Sequence, residues 1–73
     1  PKYVYGYEAV ADLLEKHGTG AIKIGTLGKL AGRGAIPTTG NRVRHKLEFS
    51  VKDVLEWDRA GRPDISQVQN QSA

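Results

Sequence analysis

Seven cations and no acid lie between residues 16 and 46: Lys16, Lys23, Lys29, Arg33, Arg42, Arg44 and Lys46, with both histidines, His17 and His45, among them. The chemistry that such a block serves is the binding of a polyanion rather than the making of bonds. The residues on either side are acidic on balance, so the net charge of the 73 residues is only +3. One sign enclosed by the other along the chain suits a surface for nucleic acid; a merely solvated basic face is the alternative that composition alone leaves open.

Other chemistries find little to work with. The chain has no Cys, which removes disulfides, thiolate nucleophiles and Cys-based zinc sites together. His17 and His45 have no nearby carboxylate at a ligand spacing, so no metal is expected. Asp53 stands three residues after Ser50, where a helix cap explains it without catalysis, and Trp57 falls at helical core spacing. Gly18-Thr19-Gly20 and Gly32-Arg33-Gly34 lack the Gly-Lys-Ser/Thr ending of a phosphate loop, so neither a nucleotide nor any other cofactor is expected. Pro1 would be a general base if it acted as in small tautomerases, but those begin with a β-strand, whereas here a short aromatic stretch is read as leading straight into a helix. The expectation is a protein without catalytic residues or a small-molecule substrate. A chain of this length buries only about 60% of its unfolded surface, enough for one core and no deep cleft. No apolar run spans a bilayer and no signal-peptide core follows the N-terminus, so a cytoplasmic location, with no membrane partner, is expected.

The elements that must position the cations follow from periodicity. Val10, Leu13, Leu14 and His17 recur at helical spacing and predict a first helix over 7–17, closed by Gly18. A glycine-rich connector follows, touching the core through Ile22 and Ile24. Thr26 reads as the cap of a second helix reaching Arg33, with Leu27, Leu30 and Ala31 inward and Thr26, Lys29 and Arg33 outward. Residues 35–39 read as extended with Pro37 on an edge, Gly40-Asn41 as the tight turn, and 42–49 as one strand with Arg42, Arg44, Lys46 and Glu48 on a single face. Ser50-Val51-Lys52-Asp53 predicts a capped third helix ending near Gly61, with Pro63 beyond. Residues 1–62 would form the domain and 63–73 a disordered polar tail.

Helix, connector, helix, hairpin, helix is the order of a winged helix-turn-helix: mostly α, three helices plus a two-stranded wing. In that architecture the second helix enters the major groove and the wing lies beside it. The charge map agrees, because the second helix and the hairpin are the basic elements. Lys29 and Arg33 would read guanine edges, with Thr26 and the helix N-terminus on phosphate. Arg42, Arg44 and Lys46 would meet the backbone from the wing, and Lys23 from the connector; Lys16 complements a helix end.

Three stretches also carry a resemblance. Tyr5-Gly6-Tyr7-Glu8-Ala9-Val10-Ala11-Asp12-Leu13-Leu14, Thr26-Leu27 followed by Gly34-Ala35-Ile36-Pro37, and Phe49-Ser50-Val51-Lys52-Asp53-Val54-Leu55-Glu56-Trp57 occur in the order found in MerR-like winged-helix domains, and the set resembles those of the phage excisionase type. The chain departs from that pattern in a longer segment between Leu14 and Thr26 and a longer stretch between Gly40 and Asp53. The resemblance implies binding of double-stranded DNA at adjacent repeated sites, self-association along the DNA, bending, and the steering of a tyrosine integrase toward excision. Transcriptional regulators of the same fold are the second reading, and a viral DNA-packaging recognition subunit the third.

Overall fold

The computed structural model describes residues 1–66 and folds them in the order β1 (Tyr3–Tyr5), α1 (Tyr7–His17), α2 (Ile24–Gly32), β2 (Arg42–Val43), β3 (Lys46–Ser50) and α3 (Val51–Arg59). Three helices pack with one antiparallel sheet of order β1-β3-β2, in a mostly helical chain. Among the described residues no helix is long and apolar enough to cross a membrane.

The core is made where the apolar stripes of the helices meet the inner face of β3. Val10 and Leu14 of α1, Leu27 of α2, Phe49 of β3, and Val54 and Trp57 of α3 are buried together with Ile36. Phe49 is the largest fully buried side chain of this set, with the Tyr7 ring edge-on at 6.3 Å. The α1 and α3 boundaries agree with the periodicity. Ser50 caps α3 as its spacing predicts, its hydroxyl accepting from the Asp53 N–H at 3.2 Å.

Several expectations are corrected. The aromatic stretch before α1 is a strand, with Tyr3, Val4 and Tyr5 opposite Ser50, Phe49 and Glu48, so the sheet has three strands rather than two. Gly6 makes the change of element possible: at φ 84° it turns the chain from β1 into α1 while its N–H still donates to Leu47 O. Helix α2 starts at Ile24, not Thr26; Lys23 is its cap residue, and Thr26 sits inside the first turn without a capping bond. Ile24 is consequently 47% exposed, and only Ile22 carries the connector to the core.

The hairpin turn is also displaced. Gly40-Asn41 precedes β2, and the reversal falls at Arg44-His45, both at positive φ. The segment 39–41 instead runs beside β3, with Thr39 N–H donating to Glu48 O and Glu48 N–H to Asn41 O. The polar C-terminal stretch starts in order rather than disorder: Pro63 O accepts from Trp57 Nε1 at 2.7 Å, Ile65 N–H donates to Ala35 O, and Ile65 packs against the core. The rest of that expected tail, 67–73, lies outside the described residues.

Candidate nucleic-acid interface

The connector between α1 and α2 determines where α2 points, and a buried carboxylate holds it. Asp58, 1% exposed near the end of α3, accepts from the Thr19 N–H at 2.6 Å and the Thr19 hydroxyl at 2.8 Å. Its other neighbour is Arg62, whose Nε donates at 2.7 Å while Nη2 reaches Gly20 O at 2.6 Å. A carboxylate taken out of water needs this many donors. Burial pushes the Asp58 carboxyl up, but Arg62 and both Thr19 donors outweigh it and hold the group below its ordinary value.

Fixed this way, α2 turns Leu27 inward and leaves Gly25, Thr26, Lys29 and Gly32 exposed. A Cβ at Gly25 or Gly32 would meet no atom within 4 Å, so this outward face has few side chains of its own. No acid lies in its first turn and no side chain caps it, so the positive end of the helix dipole is not neutralised from within.

The hairpin stands beside the start of α2. A depression of about 310 Å³ lies between them, lined by Arg42, His45 and Lys46 from the hairpin, Ile24 from α2, and Tyr5 to Glu8 from the β1–α1 junction. The aliphatic stem of Lys46 lies across Gly6, where a Cβ would come within 3.3 Å of its Cδ. The three wing cations do not share one strand face as the alternation suggests. Arg42 is opposite Leu47, Lys46 is opposite Val43, and Arg44 is in the turn. Neither β2–β3 pair therefore sets cation directly against cation, which spares the tip the strongest cross-strand repulsion. Arg42 Nη1 also donates to His45 O, closing the tip on itself.

Glu48, the one acid on the hairpin strands, is occupied by neutral donors. Thr39 Oγ1 at 2.5 Å, Asn41 Nδ2 at 3.2 Å and the Tyr5 hydroxyl at 3.1 Å all donate to its carboxylate. The Thr39 bond is the main cause holding its carboxyl below the ordinary value; desolvation opposes it, and the Asn41 and Tyr5 bonds act with Thr39 to outweigh that opposition. Glu48 thus secures the base of the hairpin without quenching the cations at its tip.

All seven anticipated residues, Lys23, Thr26, Lys29, Arg33, Arg42, Arg44 and Lys46, are exposed. Among the described residues, Lys23, Lys29, Arg42, Arg44 and Lys46 make no ion pair, whereas Arg33 lies 3.2 Å from Asp64. Thr26 loses its anticipated role as the cap but keeps its place on the open face of α2. His17 and His45 line different depressions, and among the described residues no three potential ligands gather to hold a metal. Pro1 is exposed. That His45 and Ile24 line the depression was not legible in the sequence, because neither a His in a turn nor an Ile before Gly25 carries a local signal. Compared with family models, curated proteins and solved structures, the chain matches none.

Proposed function

We propose that the chain is a winged helix-turn-helix protein that binds double-stranded DNA, with α2 as the reading helix and the β2–β3 hairpin as the wing. One observation carries the reading: five cations without ion pairs among the described residues lie on α2, its entry and the hairpin. An α2 N-terminus with neither cap nor acid adds a site where a phosphate is favoured. Lys29 and Arg33 read base edges, while Lys23, Arg42, Arg44 and Lys46 hold the backbone on either side of the depression between helix and wing.

The resemblance of the three sequence stretches supports the phage excisionase role, in which adjacent copies bend DNA and direct a tyrosine integrase toward excision. Size points the same way, because a single module buries only about 600 to 1,000 Å² on DNA and gains site selection by binding in series. The test is a titration of the chain on duplex DNA at increasing salt. With four to five phosphates neutralised, log affinity falls with log salt at a slope of roughly −3.5 to −4.5. A flat response would overturn the reading.

A further inference from the structure

Arg33 differs from the other cations of the interface in having a carboxylate beside it, Asp64 Oδ2 at 3.2 Å from Nη2. The partner comes from far along the chain and is firmly placed. Asp64 lies between Pro63, tied through its carbonyl to Trp57, and Ile65, tied through its N–H to Ala35 and packed on the core. Its Oδ1 accepts from both the N–H and the hydroxyl of Ser66, which leaves Oδ2 turned toward Arg33. Asp64 has a side chain only 27% exposed against 59% for Arg33, so the acid is the fixed member of the pair and the arginine the one that faces outward.

A guanidinium offers five donors in a fork, so one given to a carboxylate leaves others for a second acceptor. The charge is nevertheless largely cancelled. Phosphate attraction acts on net charge and ignores sequence, whereas base readout depends on where donors are aimed. We propose that Asp64 is a specificity-determining residue: by neutralising and holding Arg33, it withholds this arginine from indiscriminate phosphate binding and keeps its remaining donors for a base edge. This rests on the DNA-binding reading and adds to it the selection against non-cognate DNA that attractive contacts alone do not supply.

The test uses the full chain and a random-sequence 20-base-pair duplex, with affinity followed by fluorescence anisotropy across a salt series. Asp64→Asn keeps an oxygen for the Ser66 cap and removes only the charge. It is expected to bind the random duplex about 3- to 8-fold more tightly near 0.1 M salt, with a slope steeper by about 0.9, the share of one further phosphate. Adding Arg33→Ala returns both to the wild-type values. Arg33→Gln in the otherwise unchanged chain leaves the random-duplex slope as it was, which keeps the test independent of how Asp64→Asn folds. Unchanged or weaker binding by Asp64→Asn, or a slope lowered by about 0.9 in Arg33→Gln, overturns the proposal while wild-type binding leaves the DNA reading standing. No binding by the wild-type chain at low salt overturns both.

Discussion

The Asp58 carboxylate takes both hydrogen-bond donors of Thr19, the backbone N–H and the hydroxyl, across 39 residues of sequence. This joins the last turn of α3 to the first residues after α1. It also holds Arg62, which keeps a positive φ of 57° at the exit of α3 and bonds Gly20 O in turn. The connector that leads from α1 to α2 is therefore held by a charge buried at the end of α3.

Removing that charge is expected to be costly. Asp58→Ala leaves Arg62 Nε and both Thr19 donors without their acceptor, a loss of about 3 kcal/mol, against a total of roughly 4 to 11 kcal/mol for a chain of this length. Urea unfolding at pH 7 measures it directly. A change under 1 kcal/mol would mean that the connector finds other partners.

The same group sets an acid limit. Burial raises the Asp58 carboxyl and its donors lower it further, so its folded-state pKa lies below the unfolded one. Its contribution is then complete above the unfolded value and disappears as pH falls through the folded value. Glu48 is shifted the same way, chiefly by Thr39. Stability is expected to fall below about pH 4, the ordinary carboxylate range, and Asp58→Asn should make that fall shallower without abolishing it. Parallel pH profiles for the variant and wild type would remove Asp58 from this account.

The glycines separate into two kinds that the sequence does not distinguish. A Cβ at Gly18 would lie 2.7 Å from Asp58 Oδ2 and 2.8 Å from Leu14 O, one of them backbone, so Gly18→Ala is expected to destabilise by about 1–3 kcal/mol. Gly25 and Gly32 face open space within α2 and have no such reason. Alanine at either should stabilise by up to about 1 kcal/mol. If α2 lies against DNA, as proposed, the same substitutions weaken DNA binding, because the added methyl stands where the duplex backbone approaches. Thermal melts and anisotropy on the same two variants read both effects.

What could be read from the sequence was what repeats along one element. The stripe of Val10, Leu13 and Leu14 gave α1, and Ser50 with Asp53 gave the start of α3, because both signals are local. Strand β1 was missed because Tyr3-Val4-Tyr5 is too short to have a period and is a strand only by virtue of β3 beside it. The start of α2 was misplaced for the opposite reason. Thr26 is a good cap by type, but the connector is held from outside by Asp58 and Arg62, so the helix begins three residues after Ala21 without a capping side chain. The cations themselves were legible, and their exposure follows from charge. Their arrangement around the hairpin tip was not, since a turn at Arg44-His45 has neither Gly nor Asn to announce it.

That turn supports the last prediction. A two-residue reversal with positive φ at both positions is one that Asn-Gly adopts with little strain, while Arg44 at φ 53° and His45 at φ 69° hold it at a cost of about 1 kcal/mol or more. Among the described residues neither side chain has a hydrogen-bond or ion-pair partner: both are exposed, and the bond from Arg42 Nη1 that closes the tip goes to the backbone oxygen of His45. Strain kept where the fold does not use it is expected where a ligand does. Replacing the pair by Arg44→Asn with His45→Gly should raise stability by about 1 kcal/mol or more, through relief at both residues, and lower affinity for duplex DNA, with the salt slope falling by about 0.9 for the lost arginine. Higher stability with unchanged affinity would remove the tip from the interface; lower stability would show that the turn was not strained.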